Sequence, residues 1–245
     1  MTLALGLVAY GSARLLTSTR HGFPILVLGL LCAWAIRPHI AAMAMLALVV
    51  AYLTRRAPKG QHLLSPLRKL VGLVVLGAGL VFLAGQASNL LGVDSYNAEA
   101  VQTARSGVVL RTEDAGSSYT DDSTDLNPAE FPVAVISVLF RPFPWEARNA
   151  QSLIAASEGL VLLILFVVGR RRLVGAVRSI LHTPYVVLCV VYSTLFIYGF
   201  SSFANFGILT RQRVQVLPFV VVLLCLPKWE GSRKDLPRLL TAAPA

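Results

Sequence analysis

The sequence predicts an all-α fold, a polytopic transmembrane helix bundle of about six to seven spans with one long extracytoplasmic loop. Three observations predict it. The chain is 56% hydrophobic and only 14% charged over 245 residues, whereas a soluble domain runs about 45–50% apolar and about 25% charged. Such a chain cannot clothe a globular surface with polar groups, which argues against a soluble enzyme, a disordered protein or a disulfide scaffold. The apolar residues also fall in blocks, near 3–16, 23–36, 40–53, 70–83, 153–168, 180–200 and 214–226. Strands in lipid need a closed barrel with alternating faces, and these blocks do not alternate. Third, the basic residues gather in particular links between the blocks.

A helix needs roughly 20 apolar residues to cross about 30 Å of hydrocarbon. The run 180–200 meets that comfortably; the others borrow flanking polar residues, snorkelling or local thinning. The first run, broken by Arg14 and without a preceding Lys or Arg, reads as a weak span and not as a cleaved leader. The pair of runs across 23–53 is interrupted by Arg37-Pro38-His39 and also fits a re-entrant pair. The organisation expected is membrane helices over 1–85, an extracytoplasmic loop with an interfacial segment over 86–149, membrane helices over 150–227 and a cytoplasmic tail over 228–245.

Charge supplies the orientation, because Lys and Arg concentrate on the cytoplasmic side. The links 55–69 and 170–178, the tail from Lys228, and Arg14 with Arg20 hold 15 of the 22 basic residues. Seven are left outside: Arg37, Arg105, Arg111, Arg141, Arg148, Arg211 and Arg213. The loop 86–149 holds nine of the 12 acidic residues and four basic ones, a net of −5. Within it 112–128 reads as a mobile loop rich in Ser, Thr, Asp and Gly, 98–104 as a short surface helix, and 131–140 as an apolar stretch lying at the interface. The expected location is therefore the plasma membrane, multi-pass, with the loop outside and the C-terminus cytoplasmic. The net charge of +10 is explained by this partition, so no nucleic-acid partner is expected.

Soluble catalytic motifs are missing: no glycine-rich dinucleotide or phosphate loop, no HExxH, no GxSxG. Cys32, Cys189 and Cys225 each sit in an apolar run, and four scattered histidines make no ligand cluster, so no metal and no cofactor are expected. The outside arginines are more informative, because they oppose the charge bias. Arg37 stands at a proline-broken helix junction. In Phe140-Arg141-Pro142-Phe143-Pro144-Trp145-Glu146 two prolines bracket Phe143 and forbid helix. That presents Arg141, Trp145 and Glu146 on a stiff turn before a span. An interfacial aromatic belt with a local Arg–Glu pair explains the stretch equally well. Glu158 lies inside an apolar run, where an acid costs about 2.5–3.5 kcal/mol on insertion scales and must face protein or water. A structural pair with an arginine of another helix and a carboxylate in an outward cavity both fit; Asn149 and Gln151 would extend such a lining. Arg211 and Arg213 flank Gln212 at a helix end. Together these regions deliver arginine to one membrane face, and guanidinium suits bidentate phosphate contact.

The stretch Leu139 to Ala147, followed by Asn149-Ala150-Gln151 and Ser157-Glu158-Gly159, resembles a group of bacterial, actinobacterial-type multi-spanning proteins of polysaccharide biosynthesis clusters. Asn205-Phe206-Gly207-Ile208-Leu209 with Arg211-Gln212-Arg213 and Pro218, and Ile36-Arg37-Pro38-His39, fit the same group. The group is similar to O-antigen polymerase and ligase-like membrane proteins. The resemblance implies transfer of a glycan from a polyprenyl-diphosphate carrier to a sugar hydroxyl on the outer face. Arg37, His39, Arg141, Trp145, Asn205, Arg211 and Arg213 would contact substrate, with Glu146 or Glu158 as the catalytic carboxylate. It also implies further spans before the region where this chain starts, so that the chain matches a C-terminal portion of that architecture. A non-catalytic membrane subunit or transporter component, contacting other membrane subunits and lipid, is the alternative, and an inactive truncated remnant is a third.

Overall fold

A computed structural model describes residues 1–17, 22–54, 72–74, 76–79, 81, 128–147, 149–180, 183–201, 203 and 205–226. Among these the regular elements are helical: α1 (Thr2–Leu16), α2 (Gly22–Ile36), α3 (Pro38–Thr54), α4 (Phe131–Phe140), α5 (Ala150–Val168), α6 (Arg170–Ser179), α7 (Pro184–Phe200), α8 (Phe206–Arg213) and α9 (Leu217–Cys225), with 3-10 turns at Pro128–Glu130 and Pro144–Glu146. The described residues of the run 70–83 are helical as well. The expected loop tip at 112–127, the short helix at 98–104, the basic link 55–69 and the tail from 228 lie outside the described residues.

The chain is all-α, and among the described residues α5, with 19 residues, is the one helix long and apolar enough to cross a membrane. The number rises to three if α6 with α7 and α8 with α9 each count as one bent span. Helices α1 to α4 are apolar but shorter, at 10–17 residues. One expectation is cut back here. The helix described in the run 180–200, expected as the most comfortable span, is α7, whose 17 residues begin at Pro184 and reach span length only when counted with α6 across a bend. Proline suits the first helical position because it lacks the N–H that would go unpaired there. The span-length helix is instead α5, which extends the run 153–168 backwards to Ala150. Asn149 starts it. Its Oδ1 accepts from the Ser152 N–H at 2.7 Å, and its own N–H donates to Ser152 Oγ at 3.1 Å, a reciprocal cap that satisfies two otherwise unpaired donors.

The described chain falls into two compact units, Met1–Ala87 with Gly169–Ser193 and Pro218–Ala245, and Ser88–Val168 with Thr194–Leu217. In the first, α1 and α2 pack as an antiparallel hairpin stitched by glycine. A methyl group added to Gly11 would lie 2.5 Å from the Leu26 nitrogen, one on Gly22 2.6 Å from that of Leu15, and one on Gly29 2.7 Å from that of Val8. Small residues let two backbones come this close, which is how helices associate where no hydrophobic drive between them exists. Arg37 alone separates α2 from α3. Its N–H donates to the Ala33 carbonyl at 2.8 Å and its carbonyl accepts from Ile40 at 3.1 Å, so one residue both ends α2 and starts α3.

In the second unit α4 crosses α5 at Gly159. A side chain there would collide with the Phe140 carbonyl. The rings of Phe140 and Phe166 meet edge to face at 5.2 Å, and Phe131 stacks on Tyr198 at 5.0 Å. The outer flank of α5 is apolar and exposed at Leu160, Val161, Ile164, Leu165, Val167 and Val168. An exposed apolar stripe of that length is what a lipid-facing helix presents.

Candidate functional site

The second unit contains an open cleft of about 390 Å³ between the first half of α5, the Pro142 loop and α8. Helical spacing decides what lines it. Gln151, Ala155 and Glu158 recur at three and four residues on α5, as do Gly207, Thr210 or Arg211, and Val214 on and just beyond α8. Asn149, Ser152, Ile154, Phe206 and Pro142 complete the lining.

Asn205 sets the entry to α8. Its side chain accepts from the N–H groups of Gly207 and Ile208 at 2.9 and 3.2 Å, the geometry of an N-cap. Its neighbour Phe206 then enters the cleft wall, and the Arg141 guanidinium sits 5.2 Å from the Phe206 ring centre, within cation–π range.

The arginines of α8 take different routes. Residues two apart on a helix point about 200° apart, at 100° per residue. Arg211 lines the cleft; its Nε donates to the Gly207 carbonyl at 2.9 Å, and among the described residues it forms no ion pair. Arg213 is buried. It donates to the Leu139 carbonyl at 3.0 Å and to the Ala155 carbonyl at 3.3 Å, and it pairs with Glu158 at 3.5 Å. The Leu139 contact has a clear cause. The last four carbonyls of α4 lack intrahelical partners, and Pro142, with no N–H, follows the extended Arg141. The buried guanidinium serves that helix end. Gly159 makes room for it, since an added methyl would lie 3.1 Å from its Nη1.

Glu158 keeps a side chain that is 65% exposed while lying about 12 Å along α5 from Ala150, at 1.5 Å per residue. An acid at that depth in an apolar helix needs water or protein around it, and the cleft provides the opening. Glu146 is placed otherwise. It pairs with Arg141 through Oε1 at 2.6 Å and accepts the Phe143 N–H at 2.8 Å through Oε2. The Arg141–Pro142 bond is cis. Trp145 is exposed and stacks on Phe143, ring centres 4.8 Å apart.

The structure thus brings Arg141, Asn205, Arg211, Arg213 and Glu158 into one neighbourhood within a single unit. Arg37 and His39, both half-buried, belong to the other unit. Among the described residues no group of histidine, cysteine or carboxylate side chains is placed to hold a metal. Thr210 and Ser152 escape notice as lining residues when the sequence is read for charge. Their spacing of three residues from Gly207 and from Ala155 is the signal that finds them. No known protein family, no curated protein and no solved structure matches this chain.

Proposed function

We propose that the chain is a multi-pass plasma-membrane protein of cell-surface polysaccharide assembly, which transfers or polymerises a polyprenyl-diphosphate-linked glycan on the outer membrane face. The observation that carries the reading is the presence of two groups in one cleft beside a span-length helix: the Arg211 guanidinium, which forms no ion pair among the described residues, and an accessible carboxylate, Glu158. The resemblance to O-antigen polymerase and ligase-like proteins supplies the substrate class. In the reaction an acceptor hydroxyl attacks the anomeric carbon, the bond from that carbon to the diphosphate oxygen breaks, and the diphosphate leaves with the electron pair. Arg211 stabilises the charge that develops on it. Glu158 takes the hydroxyl proton. Arg213 positions Glu158 from behind. Arg141 and Glu146 fix the loop that carries Pro142, and Trp145 offers a ring face to a sugar or headgroup. The architecture that fits this role has six to seven spans, loop 86–149 outside and the C-terminus in the cytoplasm.

A second reading, a non-catalytic membrane subunit, draws support from the pairing of Arg141 with Glu146 and of Arg213 with Glu158, which gives two of the arginines structural work. Arg211→Lys and Glu158→Gln separate the two readings. Transfer predicts accumulated lipid-linked repeat units and shortened surface polymer at unchanged protein level; unchanged polymer in both variants rejects it. Orientation is tested by cysteine labelling at Ser117 and Ser232. A membrane-impermeant reagent on intact cells should reach position 117 and spare 232.

A further inference from the structure

We infer that α6 is an interfacial helix that docks on anionic phospholipid headgroups, independently of the glycan reading above. The sequence Arg-Arg-Arg-Leu-Val-Gly-Ala-Val-Arg-Ser divides cleanly over its two faces. Arg170, Arg171, Val174, Val177 and Arg178 recur at three and four residues and are exposed, the valines at 47% and 64%. Gly175, Ala176 and Ser179 are buried on the opposite side. A face that mixes guanidinium with branched apolar groups suits the headgroup boundary. The valines insert among the upper chains while the arginines meet phosphate.

Two further observations put α6 at that boundary. A single residue, its N-cap Gly169, separates it in the chain from Val168, where the span-length α5 ends. It is also tied to a second helix end: Arg172 donates from Nη1 to the Leu224 carbonyl at 3.3 Å. Leu224 lies in the last turn of α9, where carbonyls lack intrahelical partners. The side chain facing inward thus holds the helix in place and leaves three arginines outward. Charge complementarity selects the occupant: anionic lipid attracts a basic residue near the surface by about 1 kcal/mol each, or roughly fivefold in local association. A zwitterionic surface lacks that attraction.

The test uses the full chain with Cys32, Cys189 and Cys225 replaced by serine, a fluorophore on Val174→Cys, and vesicles of phosphatidylcholine with or without phosphatidylglycerol. Quenching by a headgroup-region nitroxide is compared when the nitroxide is carried on either lipid. The expected result is several-fold stronger local association of the phosphatidylglycerol quencher. That preference should fall close to one in the triple variant Arg170→Gln/Arg171→Gln/Arg178→Gln and shrink in high salt. A second label at Leu153→Cys, on α5, should show no response to the triple change and so reports an intact fold. Equal quenching by both lipids in the native protein overturns the inference, as does a preference that survives the triple variant. Absence of quenching by either lipid also overturns it, because the face would then be covered by protein. If the triple variant does not insert, the salt dependence in the native protein decides alone.

Discussion

The α1–α2 hairpin and the α4–α5–α8 crossing solve the same problem in different ways. Both bring helix backbones closer than ordinary side chains allow, and both use glycine to do it. In the hairpin the glycines meet backbone and apolar atoms, and the contact is packing alone. At the crossing Gly159 opens space for the Phe140 carbonyl and a buried guanidinium, which then bonds two carbonyls and a carboxylate. Polar groups inside so apolar a chain are costly. The crossing keeps them where a cleft opens, which is why the functional reading belongs there and not to the hairpin.

The contrast can be broken from its polar side with the largest effect. Arg213→Leu removes the donor that serves the Leu139 carbonyl at the end of α4, while the Ala155 carbonyl keeps its place in the α5 ladder. An orphaned buried acceptor costs about 1–3 kcal/mol, and the charge-assisted bonds lost with the guanidinium bring the expected loss to about 3 kcal/mol or more. Thermal unfolding in detergent should show a large drop, whereas Glu158→Gln, at an exposed side chain, should change stability little. An equal small effect of both would mean that Arg213 does not hold the crossing.

Gly159→Val comes next. The added atoms meet the Phe140 backbone, which cannot swing aside as a flexible side chain would, so about 3 kcal/mol is expected, the upper part of the overpacking range. Gly11→Val or Gly29→Val tests the hairpin at about 1–3 kcal/mol. Its loss should be felt in packing without altering ligand affinity at the cleft, and a cleft phenotype from either would blur the comparison. Asn205→Ala is the mildest, about 1 kcal/mol for a lost N-cap. It should show a fraying of α8 that lowers affinity at the cleft more than it lowers stability.

The helical blocks could be read from the sequence because apolar runs free of alternation have no other solution in lipid. Run ends were harder. The extension of α5 to Ala150 depends on the Asn149–Ser152 cap, which hydropathy does not register, and the start of α7 at Pro184, four residues into the run 180–200, depends on that proline. Glu158 draws attention from sequence because an acid inside an apolar run demands a partner, and an arginine of another helix is such a partner. Which arginine, and which of Arg211 and Arg213 lines the cleft, follows from a 200° difference around α8 that charge counting ignores. Glycines 11, 29 and 159 look alike in sequence. Only the chain that crosses them shows that two face backbone and one faces a guanidinium as well.

In the proposed transfer, Arg211 makes the cleft an anion site for a lipid diphosphate. The direct measurement is binding of a polyprenyl diphosphate to the purified full chain in nanodiscs, set against the uncharged polyprenol and against the Arg211→Ala variant. The expected result is binding of the diphosphate and not of the alcohol, weakened tenfold or more by Arg211→Ala, or about 1.4 kcal/mol, with the fold unchanged. Diphosphate affinity that is the same with and without Arg211 would contradict it.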